Sequence, residues 1–505
     1  MYVYLIGAGP GDPGLLTCKG RDILAKADVI VHDYLAASSL LAYARPEAER
    51  IYVGKIAGNH AMRQEDINKL LVRKAREGKV VARLKGGDPY IFGRGGEEAL
   101  ELYEAGVPFE VVPGVSSSIA APAYAGIPLT HRAFSSSLTI VTGHEEPGKV
   151  NSALDWKALA RSSSTLVILM GMKNLPQIVA SLLDAGMPGD TPSALVYRGT
   201  TTKQRSLTAP LADLPAAAER EGFANPSVIV VGDVVSVRDK LNWFEKKPLF
   251  GRTIVVTRAR EQASASAALF EEMGAEVLQF PTIAISPMKD WAAVDDAIRR
   301  LQEYEWLIFT SVNGVRFFRG RMQALGRDAR AFAGLRIAAI GPATADAVRG
   351  MGIEPDFVPD TYVAESVAEG LMTRGIRSAL LPRAREAREV LPERLRAFGA
   401  KVDVVPVYEA VPSAEGREAV LEALENGRLD CVTFGSSSTV RNFFAAIPPE
   451  KVRLHPEVKL AAIGPVTAQT LRKEGFDPDI VPGEFTVPAL VDAVCSAFAG
   501  NGDAQ

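Results

Sequence analysis

The chain reads as an α/β protein of several domains, on three observations. Short β-branched runs alternate with amphipathic stretches from end to end, the pattern of strands covered by helices. At 505 residues it exceeds what one core organises, so three or four domains are expected. Its C-terminal half also repeats itself at a nearly constant offset. Composition narrows the class further. Hydrophobic residues make up 47% of the chain, yet no apolar run reaches membrane-spanning length. A net charge of −3 gives no global pull toward nucleic acid. Cys18, Cys431 and Cys495 are scattered, and the five histidines lack ligand spacing, so neither a disulfide framework nor a metal site is expected.

The first element is a short strand, Met1-Tyr2-Val3-Tyr4-Leu5-Ile6-Gly7, entering a glycine turn. With no basic leader and no cleavage site it is not a secretory signal, and a reducing cytoplasm is the expected compartment. Further strands are expected at 29–31, 80–84, 138–142, 166–170 and 228–231. The polar stretch ending at Pro248 reads as a linker, taken as 244–250, because Gly251-Arg252-Thr253-Ile254-Val255-Val256-Thr257 opens a fresh strand. The repeat follows. Val255-Val256-Thr257-Arg258-Ala259-Arg260 returns as Leu380-Leu381-Pro382-Arg383-Ala384-Arg385, and Phe309-Thr310-Ser311 as Phe434-Gly435-Ser436, each 125 positions on. Ile340-Gly341-Pro342-Ala343-Thr344 returns as Ile463-Gly464-Pro465-Val466-Thr467, 123 positions on. Two similar α/β units are therefore expected, with a ligand cleft between them.

Two loops carry most of the chemistry. Gly86-Gly87-Asp88-Pro89-Tyr90-Ile91-Phe92-Gly93 follows an apolar-basic strand, and Gly7-Ala8-Gly9-Pro10-Gly11-Asp12-Pro13 follows the first one. Glycine lets backbone approach a ligand closely and proline stiffens the turn. The second loop is a poor dinucleotide fingerprint, because Pro10 and Pro13 remove N–H donors that a pyrophosphate needs.

Together the loops resemble the tetrapyrrole methylases, specifically the uroporphyrinogen-III C-methyltransferases, over residues 1–243. The resemblance implies two α/β subdomains, a homodimer and S-adenosylmethionine as cofactor. It implies cofactor contacts at Pro10, Gly86, Gly87, Asp88 and Ile91, at Ser116 and Ser117 in Val112-Pro113-Gly114-Val115-Ser116-Ser117, and at Met170 and Gly199. The family commonly has Thr-Ala where Ser116-Ser117 stands. Taken alone, Met170 at a strand end reads as core. Asp33 corresponds to the family's proposed proton acceptor and Lys55 to its proposed donor; both follow strands, where an acid–base pair suits a carbon nucleophile that must shed a proton. A surface carboxylate and a solvated lysine are the plainer readings. Arg94 and Arg132 are candidate carboxylate partners.

Residues 251–505 resemble the uroporphyrinogen-III synthases, on Phe309-Thr310-Ser311-Val312-Asn313-Gly314-Val315, Ala339-Ile340-Gly341-Pro342-Ala343-Thr344 and the stretch from Leu391-Pro392 through Val407-Tyr408. The implied architecture is two interleaved flavodoxin-like α/β domains, the middle one at about 285–408, with no cofactor. Thr310, Ser311, Asn313, Thr344, Ser436, Ser437, Ser438 and Thr467 are candidate donors to substrate carboxylates, or else helix N-caps. Arg258 and Arg383 hold equivalent repeat positions and are candidate carboxylate binders. Tyr408 stands where the first repeat has Ile283. The resemblance makes it the candidate for assisting hydroxyl loss, against an ordinary packing tyrosine. The implied whole is a fused enzyme that closes hydroxymethylbilane to uroporphyrinogen III and methylates it twice to precorrin-2. Its partners are small tetrapyrroles, with no nucleic acid and no membrane. The rival readings are a methylase of a later cobalamin intermediate and a C-terminal tetrapyrrole-sensing module.

Overall fold

The computed structural model describes residues 1–34, 38–54, 62–143, 154–257, 260–413 and 415–499. They form two compact units, one built mainly from Met1–Arg252, the other from Thr253–Phe270 and Val277–Ala497. No described helix is long and apolar enough to cross a membrane.

The first unit holds two sheets. Its N-terminal sheet is wholly parallel, in the order Glu49–Tyr52, Val29–His32, Val80–Lys85, Tyr2–Gly7, Phe109–Val112. Near-continuous apolar strands suit a sheet buried on both faces. Leu70, Leu71 and Leu102 pack on one side with Val3, Leu5 and Val81, while Leu24 and Leu40 pack on the other with Ile6, Ile30 and Ala82. The helix Gln64–Arg76 carries Glu65 and Asp66 in its first turn and Arg73, Lys74 and Arg76 in its last, which complements its dipole. The second sheet is mixed, in the order Leu138–Thr142, Thr165–Leu169, Ser227–Val231, Pro192–Tyr197, Arg205–Pro210. Its expected strand at 166–170 stops at Leu169, because Met170 turns to φ 55°. Residues 244–250 are tied to this unit. Phe244 and Leu249 are buried, and the Glu245 carboxylate accepts from Gln204, Ser206, Arg238 and Asn242 at 2.5–2.9 Å.

The second unit also holds two sheets, and they share a plan. One runs Glu276–Gln279, Thr253–Val256, Cys431–Phe434, Lys459–Ala462; the other runs Ile283–Pro287, Lys401–Pro412, Ser378–Ala384, Trp306–Phe309, Arg336–Ala339. Thr253 and Ser378, Glu276 and Lys401, Trp306 and Cys431 open strands 125 positions apart; Arg336 and Lys459 stand 123 apart. The duplication is therefore present with its halves exchanged. Each sheet joins the first half of one repeat to the second half of the other. Ile283–Pro287 is added antiparallel at an edge, pairing with Lys401–Pro412.

Candidate functional site

In the first unit, the loops after Tyr2–Gly7, Val80–Lys85 and Phe109–Val112 meet at glycines. A Cβ on Gly7 would lie 2.5 Å from the Gly114 backbone, and one on Gly114 would lie 2.3 Å from the Gly87 carbonyl oxygen. Neither place admits a side chain. Gly87 N–H donates to the Gly9 carbonyl at 2.8 Å and Gly9 N–H returns the bond at 3.2 Å. Asp88 ties the arrangement: one carboxylate oxygen accepts from the N–H groups of Tyr90 (2.8 Å) and Ile91 (3.2 Å), the other from Gly114 N–H (3.0 Å). Charge-assisted bonds of this kind are the stronger ones. Beyond the tie, Ile91 and Phe92 leave apolar surface exposed. On the other side, Asp12 N–H donates to Thr200 Oγ1 (3.2 Å), and the Tyr124 hydroxyl donates to Asp12 Oδ2 (2.6 Å). Burial and then that bond push the Tyr124 phenol well up. Gly199 lies against Ala121, whose Cβ is 2.3 Å from where a Gly199 Cβ would stand. Phe92, Arg94, Met170, Arg198 and Thr200 all adopt φ between 45° and 69°. Each costs about 1–3 kcal/mol, and such strain clusters at ligand sites.

Beneath this rim lies a charged cluster. Arg83, Lys85 and Glu98 are buried, Glu98 completely. One Glu98 oxygen accepts from Arg83 Nε (3.1 Å), Lys85 Nζ (2.8 Å) and Gln64 Nε2 (3.1 Å), while its other oxygen has no partner among the described residues. Arg83 also donates to Asp33 Oδ2 at 3.2 Å. Burial first, then the Arg83 charge, hold Lys85 below the ordinary lysine value. Two buried cations against one buried carboxylate leave surplus positive charge, and Asp33 answers it. Asp33 is thus a paired carboxylate at the end of Val29–His32, with its side chain about a quarter exposed.

In the second unit, the polar candidates stand past the C-terminal ends of parallel strands, where ligands of open α/β sheets bind. Ser311 caps the helix Val312–Ala324 by accepting from Gly314 N–H at 3.0 Å. Its hydroxyl also lies 3.0 Å from the Tyr408 hydroxyl. Tyr408 is buried on Lys401–Pro412, beside a β-bulge at Arg383/Ala384, and its ring stacks on Phe317 at 5.7 Å. Ser436 makes the matching cap on Ser437–Ala446, in a capping box with Thr439. Thr344 and Thr467 are buried in the first turns of helices that open with Gly-Pro. Among the described residues no group of three or more His, Cys, Asp or Glu side chains forms a metal site.

Comparison with known proteins separates these two sites by family. The profile of the tetrapyrrole (corrin/porphyrin) methylases matches residues 2–215, and that of uroporphyrinogen-III synthase HemD matches residues 264–492. A porphyrin biosynthesis protein HemD from Ruminiclostridium josui is 38% identical over 99% of both chains. The chain belongs to this fused methylase–synthase family. A siroheme synthase from Chromobacterium violaceum is 50% identical over 48% of this chain and 52% of its own, so the likeness there stops at about half of that protein. Uroporphyrin-III C-methyl transferase from Thermus thermophilus, solved with S-adenosyl homocysteine, is 43% identical over 47% of this chain and all of its own, with a TM-score of 0.41. The family assignment rests on the full-length relative and the two profiles.

In the methylase half the structure brings Gly86, Gly87, Asp88 and Ile91 together with the Gly9-Pro10 turn and the Gly114–Ser116 loop. Ser116 spends its hydroxyl on Ser118, capping the helix Ser117–Tyr124. Gly199 joins through its neighbour Thr200, which meets Asp12. Met170 stands exposed just past the end of Thr165–Leu169, an inner strand of the second sheet. Arg94 is exposed and paired with Glu97, and Arg132 is exposed. Lys55 and Arg258 lie outside the described residues. In the synthase half Arg383 is buried; it pairs with Glu389 and donates to the Arg388 carbonyl, so it holds its own loop. Asn313 presents a buried amide oxygen without a partner among the described residues, and Thr310 follows Trp306–Phe309 directly.

The Arg83–Lys85–Glu98 cluster was missed by motif reading. A signal for it exists: Arg83 and Lys85 point to one face of a strand by the period-two rule, in a parallel sheet where charge is out of place.

Proposed function

We propose that the synthase half closes hydroxymethylbilane to uroporphyrinogen III and that the methylase half then methylates this product twice, giving precorrin-2. The observation that supports the pairing is the 38% identity to a porphyrin biosynthesis protein across both halves. It joins an enzyme family for the ring closure to one that methylates such rings. S-adenosylmethionine, when bound, supplies a methyl group on a sulfonium that needs positioning rather than activation. The glycine cradle of Gly7, Gly87 and Gly114 suits that cofactor, since it brings backbone to a ligand without a pyrophosphate. Asp88, by accepting from three amides, orients the cradle. Ile91 and Met170 supply apolar surface. Asp33 takes the proton that the pyrrole carbon sheds once its new carbon–carbon bond has formed, and Arg83 holds that carboxylate in place. Lys55 is the proposed donor.

In the synthase half the substrate loses its hydroxyl as water, attacks the substituted carbon of its last ring, rearranges and closes. Tyr408, aimed through its contact with Ser311, assists the hydroxyl loss. Thr310, Asn313, Thr344, Thr467 and the caps Ser311 and Ser436 present donors to the acetate and propionate groups. Arg383 sets the loop beside them. This half takes no cofactor, and the protein works as a cytoplasmic homodimer through its methylase half.

The test is anaerobic incubation of the purified chain with hydroxymethylbilane and S-adenosylmethionine, followed by product mass and isomer type. A dimethylated type III product is expected. Unmethylated type III leaves only the synthase standing, methylated type I only the methylase, and the absence of both activities overturns the reading.

A further inference from the structure

Tyr362 and Phe485 occupy the same address in the two repeats, 123 positions apart, as do Gly341 and Gly464. Each ring lies over its glycine. A Cβ on Gly341 would meet Tyr362 at 3.2 Å, and one on Gly464 would meet Phe485 at 3.0 Å. Both glycines are extended, at φ −171° and −176°. The backbone conformation does not call for glycine there. The ring above it leaves little room for a side chain.

The rings nonetheless remain 58% and 61% exposed. Single exposed hydrophobes are ordinary, but an anchored pair at equivalent positions is not scatter. Tyrosine in one copy and phenylalanine in the other show that the flat face was kept and the hydroxyl was not. Each glycine stands two residues past the end of an outermost strand, Arg336–Ala339 or Lys459–Ala462. Ile340 N–H bonds the carbonyl of Phe309, two residues before the Ser311 cap, and Ile463 N–H does the same to Phe434, two before Ser436. A ring already held on one face has little freedom left to lose when something stacks on the other.

We propose that Tyr362 and Phe485 are substrate-contacting residues of the synthase half, each offering its open face to one pyrrole ring of the linear tetrapyrrole. Pyrroles are flat and electron-rich, so offset or edge-on contact with an aromatic ring is favourable. The two sheets thus grip the chain at two rings while their hydroxyl and amide donors take its carboxylates. The proposal rests on the synthase reading above and deepens it.

The test uses the full-length chain, with hydroxymethylbilane as substrate and type III product as readout. Tyr362→Ala and Phe485→Ala are each expected to raise KM about five- to tenfold, the double variant more, with a growing share of type I ring. Tyr362→Phe and Phe485→Tyr should stay within about twofold of the parent, because they keep the face. Circular-dichroism melts should be unmoved, since both rings are exposed. An unchanged KM in the double alanine variant overturns the proposal, as does an equal loss in the conservative variants. A parent chain that yields type I ring alone overturns the synthase reading and this proposal together.

Discussion

In the methylase half five non-glycine residues adopt left-handed backbone, and Gly7 and Gly114 meet where no Cβ fits. In the synthase half every described left-handed residue is a glycine, and the donors are presented by helix caps at Ser311 and Ser436. The contrast follows from what each half has to hold. A small cofactor with one reactive methyl needs backbone pressed against it within a fraction of an ångström, and that geometry is bought with strain. On the proposed function, a flexible octa-acid needs donors spread over two surfaces, a task suited to relaxed caps and exposed rings. One half shapes its ligand site by the backbone, the other by side chains standing on a regular scaffold.

The largest effect expected from breaking this contrast is at Gly114. A methyl group there collides with the Gly87 carbonyl oxygen, so Gly114→Ala should reduce cofactor affinity and methyl transfer at least about 100-fold. Calorimetric titration with S-adenosylmethionine checks it, and wild-type affinity would show that the cradle is not the cofactor site. Next comes Glu98→Ala, which takes the buried carboxylate from Lys85 and leaves Arg83 with Asp33. It should destabilise the methylase half by about 3–5 kcal/mol. Urea unfolding followed in that half reads this directly, and a change below about 1 kcal/mol would mean the cluster is solvated or Lys85 neutral.

A smaller effect is expected at Tyr408. Tyr408→Phe removes the hydroxyl that meets Ser311 but keeps the ring on Phe317. Ring closure should slow about tenfold to a hundredfold without changing isomer type. An unaltered kcat would reassign this tyrosine to packing. The smallest effect sharpens the contrast instead of breaking it. Ser436→Ala should cost about 1 kcal/mol of stability as a lost cap. If KM for hydroxymethylbilane also rises, the hydroxyl serves substrate as well as helix; if it does not, the cap is its whole role.

Local pattern accounts for much of what was legible. The α/β class, the repeat and the two glycine loops depend on periodicity and on glycine and proline, whose constraints act within a few residues. The bond from Asp88 to Gly114 N–H, 26 positions away, was not legible in this way. The linker at 244–250 looked free because its sequence is polar, and Glu245 turned that polarity into four hydrogen bonds to the methylase half. Arg383 was legible as a charge but not as a buried one, since Glu389 reaches it only through the fold of the following loop.

The amino-acid sequence by itself determined that this chain holds two α/β halves, that the second is a duplication, and where the glycine loops fall. Tertiary structure alone decided that Glu98 gathers Arg83 and Lys85 close to Asp33, and that Ser311 meets Tyr408 across 97 positions. The reason is range. Dihedral preference and hydrophobic period are written within a few neighbouring residues, whereas strand pairing and buried charge are settled by which distant surfaces exclude water together.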